Sequence, residues 1–224
     1  MKIQLHNLPK QVLSLALLAT LSVLATGCMS FRGDQLARLN PSAKAPAPVV
    51  KMVQLDLRVC TDGRPIQGAG AQSVLDWHKK IALHSVAQSG LFGDVDMAEP
   101  GTICKPGEYV LKYEINNWGN KAAAVGSGFI CGFTLCAFPG FATDHYTVQA
   151  EVLDSQGKIC WREKYDDKLT TVIWIGFFPC LFVPPCYPMH VLEAEMINIY
   201  QHSFQDMLGN KAFLIQQAPV SGTP

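Results

Sequence analysis

The chain has 224 residues, 49% hydrophobic and only 16% charged, with 18 Lys and Arg balanced by 18 Asp and Glu. A neutral chain lacks the basic excess that phosphate binding demands, so no nucleic-acid partner is expected. Set apart from an N-terminal signal, the remainder suffices for one ordinary domain with its own core.

The first residues point to a compartment. Lys2 and Lys10 flank a short basic region, and residues 12–24 (VLSLALLATLSVL) are apolar throughout. That run is shorter than the roughly 20 residues a spanning helix needs. It ends in Leu24-Ala25-Thr26-Gly27-Cys28. Small residues directly before a cysteine resemble the bacterial lipobox, although Ala25 stands where that pattern most often has Leu. The resemblance implies a signal peptide over 1–27, cleavage after Gly27 and acylation (diacylglycerol and a palmitate-type chain) of Cys28. Each buried methylene of such chains contributes about 0.8 kcal/mol, so they form a durable anchor. Met29 follows in place of the Asp that resembles an inner-membrane retention signal. The expected location is therefore the outer membrane, lipid-anchored, with the domain in the periplasm.

Residues 28–49, with PSAKAPAP at 41–48, read as an acylated cysteine followed by a Pro/Ala-rich tether. From Val50 to Cys60, Val53, Leu55, Leu57 and Val59 alternate with Gln54, Asp56 and Arg58. Period two marks a strand with one buried face. Asp62-Gly63-Arg64-Pro65 breaks it. Over 71–89, Val74, Leu75, His78, Ile81, Ala82 and Val86 recur at helical spacing, and Gly90 is a fitting stop. Residues 91–97 form a short strand or edge piece. Tyr109, Leu111, Tyr113 and Ile115 then mark another alternating strand.

Two uncharged stretches follow, at 122–142 (AAAVGSGFICGFTLCAFPGFA) and 171–189 (TVIWIGFFPCLFVPPCYPM), separated by a polar hairpin. In the hairpin, Tyr146, Val148, Ala150 and Val152 share a face with Ile159, Trp161 and Tyr165 of the return strand. Asp154-Ser155-Gln156-Gly157 supplies the turn. Asp166 and Asp167, near Glu163, read as a solvated strand edge. A final helix over 190–213 carries Leu192, Met196, Ile199, Ser203, Phe204 and Met207 on its inner side, and a disordered tail is expected at 214–224.

The sequence of elements predicts an α+β fold. Its sheet is antiparallel-rich, of about four to five strands, with two helices on one face and the two apolar insertions at one sheet edge. The domain spans 50–213. AQSGLFGDV and TDHYTVQAEVLDSQGKICWREKYDD resemble segments of uncharacterised Gram-negative outer-membrane lipoproteins. Their domain is similar to the TolB N-terminal region and the periplasmic core of curli-type secretion lipoproteins. The resemblance carries no catalytic motif.

In the first apolar stretch Ala124, Gly128, Gly132, Cys136 and Gly140 fall every four residues, a small-residue stripe suited to close helix approach. In the second, Pro179, Pro184, Pro185 and Pro188 break any helix. Shallow insertion as a monotopic hairpin is favoured over packing back on the sheet or a true span by the first stretch. Phe129, Phe133, Phe138, Trp174, Phe177, Phe178 and Phe182 are the expected membrane or partner contacts.

Of eight cysteines, seven remain beside Cys28. An oxidising compartment permits disulfides among Cys131, Cys136, Cys180 and Cys186, between the two stretches, and between Cys60 and Cys104. Buried thiols or a metal site are the alternatives, and Cys160 is the odd thiol. The pattern offers no zinc helix and no nucleophile elbow, so no metal, cofactor or catalytic residue is assigned. Asp144, His145 and His190 read as polar markers where the chain leaves an apolar surface. The expected role is structural or accessory in envelope assembly, secretion or transport, with the membrane and an envelope protein as partners. A carrier of lipid or a small apolar ligand is the alternative, and a thiol-active or hydrolytic enzyme comes third.

Overall fold

The computed structural model describes residues 27–33, 35–39, 50–98, 105–174 and 187–210. Within them lie β1 (Gly27–Arg32), β2 (Val50–Thr61), β3 (Arg64–Pro65), α1 (Ala71–Ser89), β4 (Phe92–Met97) and β5 (Tyr109–Gly119). There follow α2 (Lys121–Phe133), β6 (Gly140–Leu153), β7 (Ile159–Trp174) and α3 (Pro188–Gly209). The mixed α+β class is as expected, but the detail differs. The sheet has seven strands in the order β1-β7-β6-β5-β2-β3, with β4 also on β2. Among the described residues three helices accompany it rather than two. β2 pairs in parallel with both β4 and β5, so the sheet is mixed. The helix between β2 and β4 is what makes a parallel return possible.

Contacts group the described residues into two units. One draws on Met1–Arg32, Gly119–Asp144 and Leu169–Val191, and the other on Gly33–Trp118, His145–Lys168 and Leu192–Pro224. Strands β6 and β7 and helix α3 each contribute to both.

The second unit holds the main core. Val53, Leu55, Leu57 and Val59 of β2 are buried, as are Leu111, Tyr113 and Ile115 of β5. The parallel register sets Leu55 beside Leu111, Leu57 beside Tyr113 and Val59 beside Ile115, so one face is continuous. Helix α3 lies over it: Tyr113 meets the edge of the Tyr200 ring at 4.9 Å, and its hydroxyl shares a 2.7 Å hydrogen bond with Ser203. In the hairpin Tyr146, Val148, Ala150, Val152, Trp161 and Tyr165 are buried as predicted, whereas Ile159 at the strand mouth is exposed. The turn is held by Asp154, whose Oδ1 accepts from the Gln156 and Lys158 amides at 2.9 Å each, with Gly157 at φ 76°. Helix α1 buries His78, Ile81, Ala82 and Val86, but Val74 stays exposed in its first turn.

His78 is buried without a hydrogen bond on Nδ1 among the described residues, and burial pushes its pKa down to about 4. The folded chain therefore holds this ring neutral where an unfolded one protonates it. Stability should be lost as pH falls from about 6.5 toward 4. The loss is on the order of 2–3 kcal/mol at about 1.4 kcal/mol per pKa unit. Urea titrations at pH 7 and pH 4.5 should show it, and His78→Leu should flatten that part of the profile.

The expected tether is corrected where the structure describes it. Residues 27–32 form β1, paired antiparallel with β7. In the second unit, Gln35 and Leu36 donate their amides to the Asp167 carboxylate at 3.2 and 3.4 Å, and Leu39 donates to Asn198 Oδ1 at 3.0 Å. Asn198 and His202 also bond the Ala37 carbonyl. Asp167 is itself only 1% exposed and is no solvated strand edge. It also accepts from the Lys168 amide at 2.7 Å and from Glu195, and these bonds hold its carboxyl below the usual range despite burial. A hydrogen bond between two carboxyl groups needs one proton, and the fully buried Glu195 is expected to carry it. Residues 1–26 of the expected signal peptide at 1–27, the Pro/Ala-rich run at 41–48 and the expected tail at 214–224 lie outside the described residues.

Candidate functional site

The first unit gathers the apolar feature. Helix α2 begins at Asn120, whose side chain accepts from the Ala123 amide at 3.0 Å, the usual way to satisfy a free helix donor. Its 13 residues span about 20 Å. Among the described residues no helix is long and apolar enough to cross a membrane.

Only a narrow strip of α2 is covered. Ser127 and Cys131 are its buried residues. The Ser127 hydroxyl lies 2.6 Å from the Phe141 carbonyl and 3.1 Å from the Phe141 amide, tying the helix to the first residues of β6. Gly140 permits this approach, since a Cβ there would sit 3.0 Å from Cys131 Cβ and 3.3 Å from the Ser127 carbonyl. The expected small-residue stripe is therefore corrected. Cys136 and Gly140 lie beyond the helix end, and a Cβ on Gly128 or Gly132 would meet open space. Those glycines do not serve close packing among the described residues.

The opposite side of α2 is open and apolar. Phe129 is 74% exposed and Phe133 82%, with their rings stacked at 6.4 Å. Phe138 and Trp174, also predicted, are exposed at 64% and 37%. The indole Nε1 of Trp174 donates to the Ala137 carbonyl at 3.3 Å, so its polar edge is satisfied while part of the ring stays open. Phe177, Phe178 and Phe182 lie outside the described residues. Val125, Ile130 and Leu135, and Phe141 and Ile173 of the adjoining strands, are also exposed in this unit, and the aromatic-centred reading passed over them. Val125, Phe129 and Phe133 recur every four residues, and that spacing was the available signal. Four phenylalanines, each more than half exposed, present on the order of 500 Å². The largest apolar patch on a typical monomer covers about 300–600 Å² and is often functional.

β1 lies in the same unit. Its register sets Gly27 opposite Trp174, Cys28 opposite Ile173 and Met29 opposite Val172. The Ser30 and Thr171 hydroxyls share a 2.7 Å bond. The backbone of Cys28 thus lies beside the end of β7 that carries Ile173 and Trp174. Cys131 reaches the same place, with Sγ 3.6 Å from the Ile173 carbonyl.

Helix α2 ends in a Schellman turn. The Leu135 amide donates to Gly132 O at 3.2 Å and the Cys136 amide to Cys131 O at 2.6 Å. Leu135 and Cys136 both take positive φ, 51° and 58°, where glycine is the usual choice. A left-handed conformation costs an L-residue about 1–2 kcal/mol.

Cys60, Cys131, Cys136 and Cys160 carry free thiols in this structure, while Cys104, Cys180 and Cys186 lie outside the described residues. Burial and a thiol contact with Cys131 push Cys136 up to about 11, and burial also raises Cys60 and Cys160. A thiolate nucleophile needs the opposite shift. His145 stacks on Trp118 at 4.3 Å and His190 on Tyr187 at 6.0 Å, so each ring packs on a neighbouring aromatic. Among the described residues no cluster of His, Cys, Asp and Glu could hold a metal ion.

No protein-family model matches the chain, and no characterised protein matches it by sequence. Solved structures resemble it loosely. The PelC dodecamer from Paraburkholderia phytofirmans is 12% identical with a TM-score of 0.34, over 80% of this chain and 97% of that one. A candidate neuraminyllactose-binding hemagglutinin homologue from Helicobacter pylori is 10% identical with a TM-score of 0.48, over 81% and 97%. A candidate lipoprotein from Caulobacter crescentus is 12% identical with a TM-score of 0.30, over 69% and 91%. Likenesses this loose assign no function, and none of the three connects the chain with TolB or the curli-type secretion lipoproteins.

Proposed function

We propose that this chain is an acylated envelope lipoprotein. In this reading the apolar surface of α2 and the β7 end lies against the bilayer, or against a membrane partner, next to the acyl anchor. The observation that carries the reading is the β1–β7 register. It sets Cys28 opposite Ile173, in the unit that also exposes Phe129, Phe133, Phe138 and Trp174. Acyl chains leaving Cys28 would enter the leaflet where those rings are presented. The anchor would then orient the surface, and the surface would keep the anchored chain from tumbling.

The chemistry suits an interface. A helix of about 20 Å with one open apolar side can lie in the headgroup–acyl boundary, where partly exposed indole rings are favoured. Its role is structural or accessory, in envelope assembly, secretion or transport, from the periplasmic side of the outer membrane. The raised thiols weigh against a thiol-based enzyme.

Fractionation tests the anchor. The native chain should enter the outer-membrane fraction and incorporate labelled palmitate. Cys28→Ala should take up no label and should move in large part to the high-salt extract. Palmitate-free native protein, or a Cys28→Ala chain held as firmly as the native one, would overturn the lipoprotein reading.

A further inference from the structure

We propose that Cys131 and Cys136 form an intramolecular disulfide that closes the turn at the end of α2. The backbone already brings the two residues together. In a Schellman turn the third residue from the helix end and the second beyond the cap are joined by a backbone hydrogen bond, and their side chains meet. Here those residues are Cys131 and Cys136. The 2.6 Å amide–carbonyl bond links their backbones, and their sulfur atoms lie 2.7 Å apart. A sulfur–sulfur bond is about 2.05 Å long, so closing it needs only a small side-chain movement.

A second observation is independent of the sulfurs. Leu135 and Cys136 are consecutive non-glycine residues in the left-handed region. A turn built this way needs something to hold it, and few neighbours do so. Leu135, Ala137 and Phe138 are all exposed. Thr134 helps, with Oγ1 donating to Ile130 O at 2.8 Å and accepting from the Phe138 amide at 3.3 Å. A covalent bond across the turn would lock the same backbone. It would also keep Leu135 and Phe138 presented beside Phe133 on the open apolar surface.

The bond forms by thiol–disulfide exchange with a protein or small-molecule disulfide. The two thiols lose two hydrogens and gain one sulfur–sulfur bond. The donor's disulfide breaks, and its sulfurs leave as two thiols. The inference rests on the proposed envelope location only for the source of that donor, since an oxidising compartment supplies it.

The test uses the full chain, reduced, purified in detergent and equilibrated at low concentration with oxidised glutathione. Cleavage after Lys121 and Lys158 releases one peptide holding Cys131 and Cys136 and no other cysteine. Without reduction this peptide should appear two hydrogens lighter and resist alkylation, and after reduction it should take two alkyl groups. Cys136→Ser, at a half-buried site, should leave Cys131 open to glutathione or alkylation. A peptide alkylated at both cysteines, or cross-linked to a peptide carrying Cys180 or Cys186, would overturn the proposal. A parallel sample alkylated inside intact cells separates the two readings. A chain that closes in the tube but is reduced in cells leaves the bond standing and overturns the periplasmic placement.

Discussion

Phe129→Ser combined with Phe133→Ser, in the non-acylated Cys28→Ala chain, is expected to weaken binding to phosphatidylethanolamine–phosphatidylglycerol vesicles by at least about a hundredfold. Burying one phenylalanine side chain is worth about 1.5–3 kcal/mol, and 1.4 kcal/mol is a factor of ten. The two rings stack on one another on the open side of α2 and are mostly exposed. Their loss should therefore change folding stability by less than about 0.5 kcal/mol. That separation makes the experiment decisive, because weaker vesicle binding cannot then be blamed on unfolding. Flotation of vesicles with bound chain reads the first quantity, and urea unfolding reads the second. A Cys28→Ala chain that ignores vesicles before any Phe is changed would remove the membrane from the reading, leaving a protein partner to be sought by cross-linking from the same surface.

The other large effect is expected at Asp167. Asp167→Ala should destabilise the chain by about 3–5 kcal/mol. The carboxylate accepts three backbone amides in a buried site beside Glu195, and alanine would orphan all three. Glu195→Gln should cost only about 1 kcal/mol, because its amide can still donate to Asp167. The contrast tests the assignment of the proton as well as the size of the effect. If Glu195 were the ionised partner, Glu195→Gln would remove a charge that the site is built around and would cost as much as Asp167→Ala. If Asp167 were a solvated edge residue, its replacement would change the urea midpoint hardly at all. Limited proteolysis near residues 35–39 should accelerate in Asp167→Ala, since two of the lost bonds hold Gln35 and Leu36.

These two sites mark where local pattern stops being informative. The strands at 50–61 and 109–119 were legible because one face is buried and the other is not, so burial wrote a period of two into the sequence. The inner side of α3 was legible for the same reason, with Met196, Ile199, Ser203, Phe204 and Met207 buried at helical spacing. Asp167 was not legible. A buried carboxylate and a solvated one are the same letter, and its four partners come from residues 35–36, 168 and 195. The strand count failed where pairing is long-range. β1 carries no alternating pattern to announce it, and it becomes a strand because β7 offers it an edge 141 residues away, as the Ser30–Thr171 bond shows. The parallel pairing of β2 with β5 was hidden likewise, since alternation gives a strand's face but not its direction.

For the apolar stretch at 122–142, the residues alone determined that it is uncharged, helix-capable in its first part and unable to continue as a helix through Pro139. They also supplied Cys28 and the signal that makes it a candidate for acylation. Only the tertiary structure decided which side of the helix is covered. Spacing suggested the glycine side, but Ser127 and Cys131 are the residues that meet β6 and Ile173. The reason is physical: an all-apolar helix has no polar face to declare which side meets solvent, so the neighbouring backbone chooses. The same holds for the pairing of Cys28 with Ile173. It joins residues 145 positions apart through strand hydrogen bonds, which read backbone and not side chain.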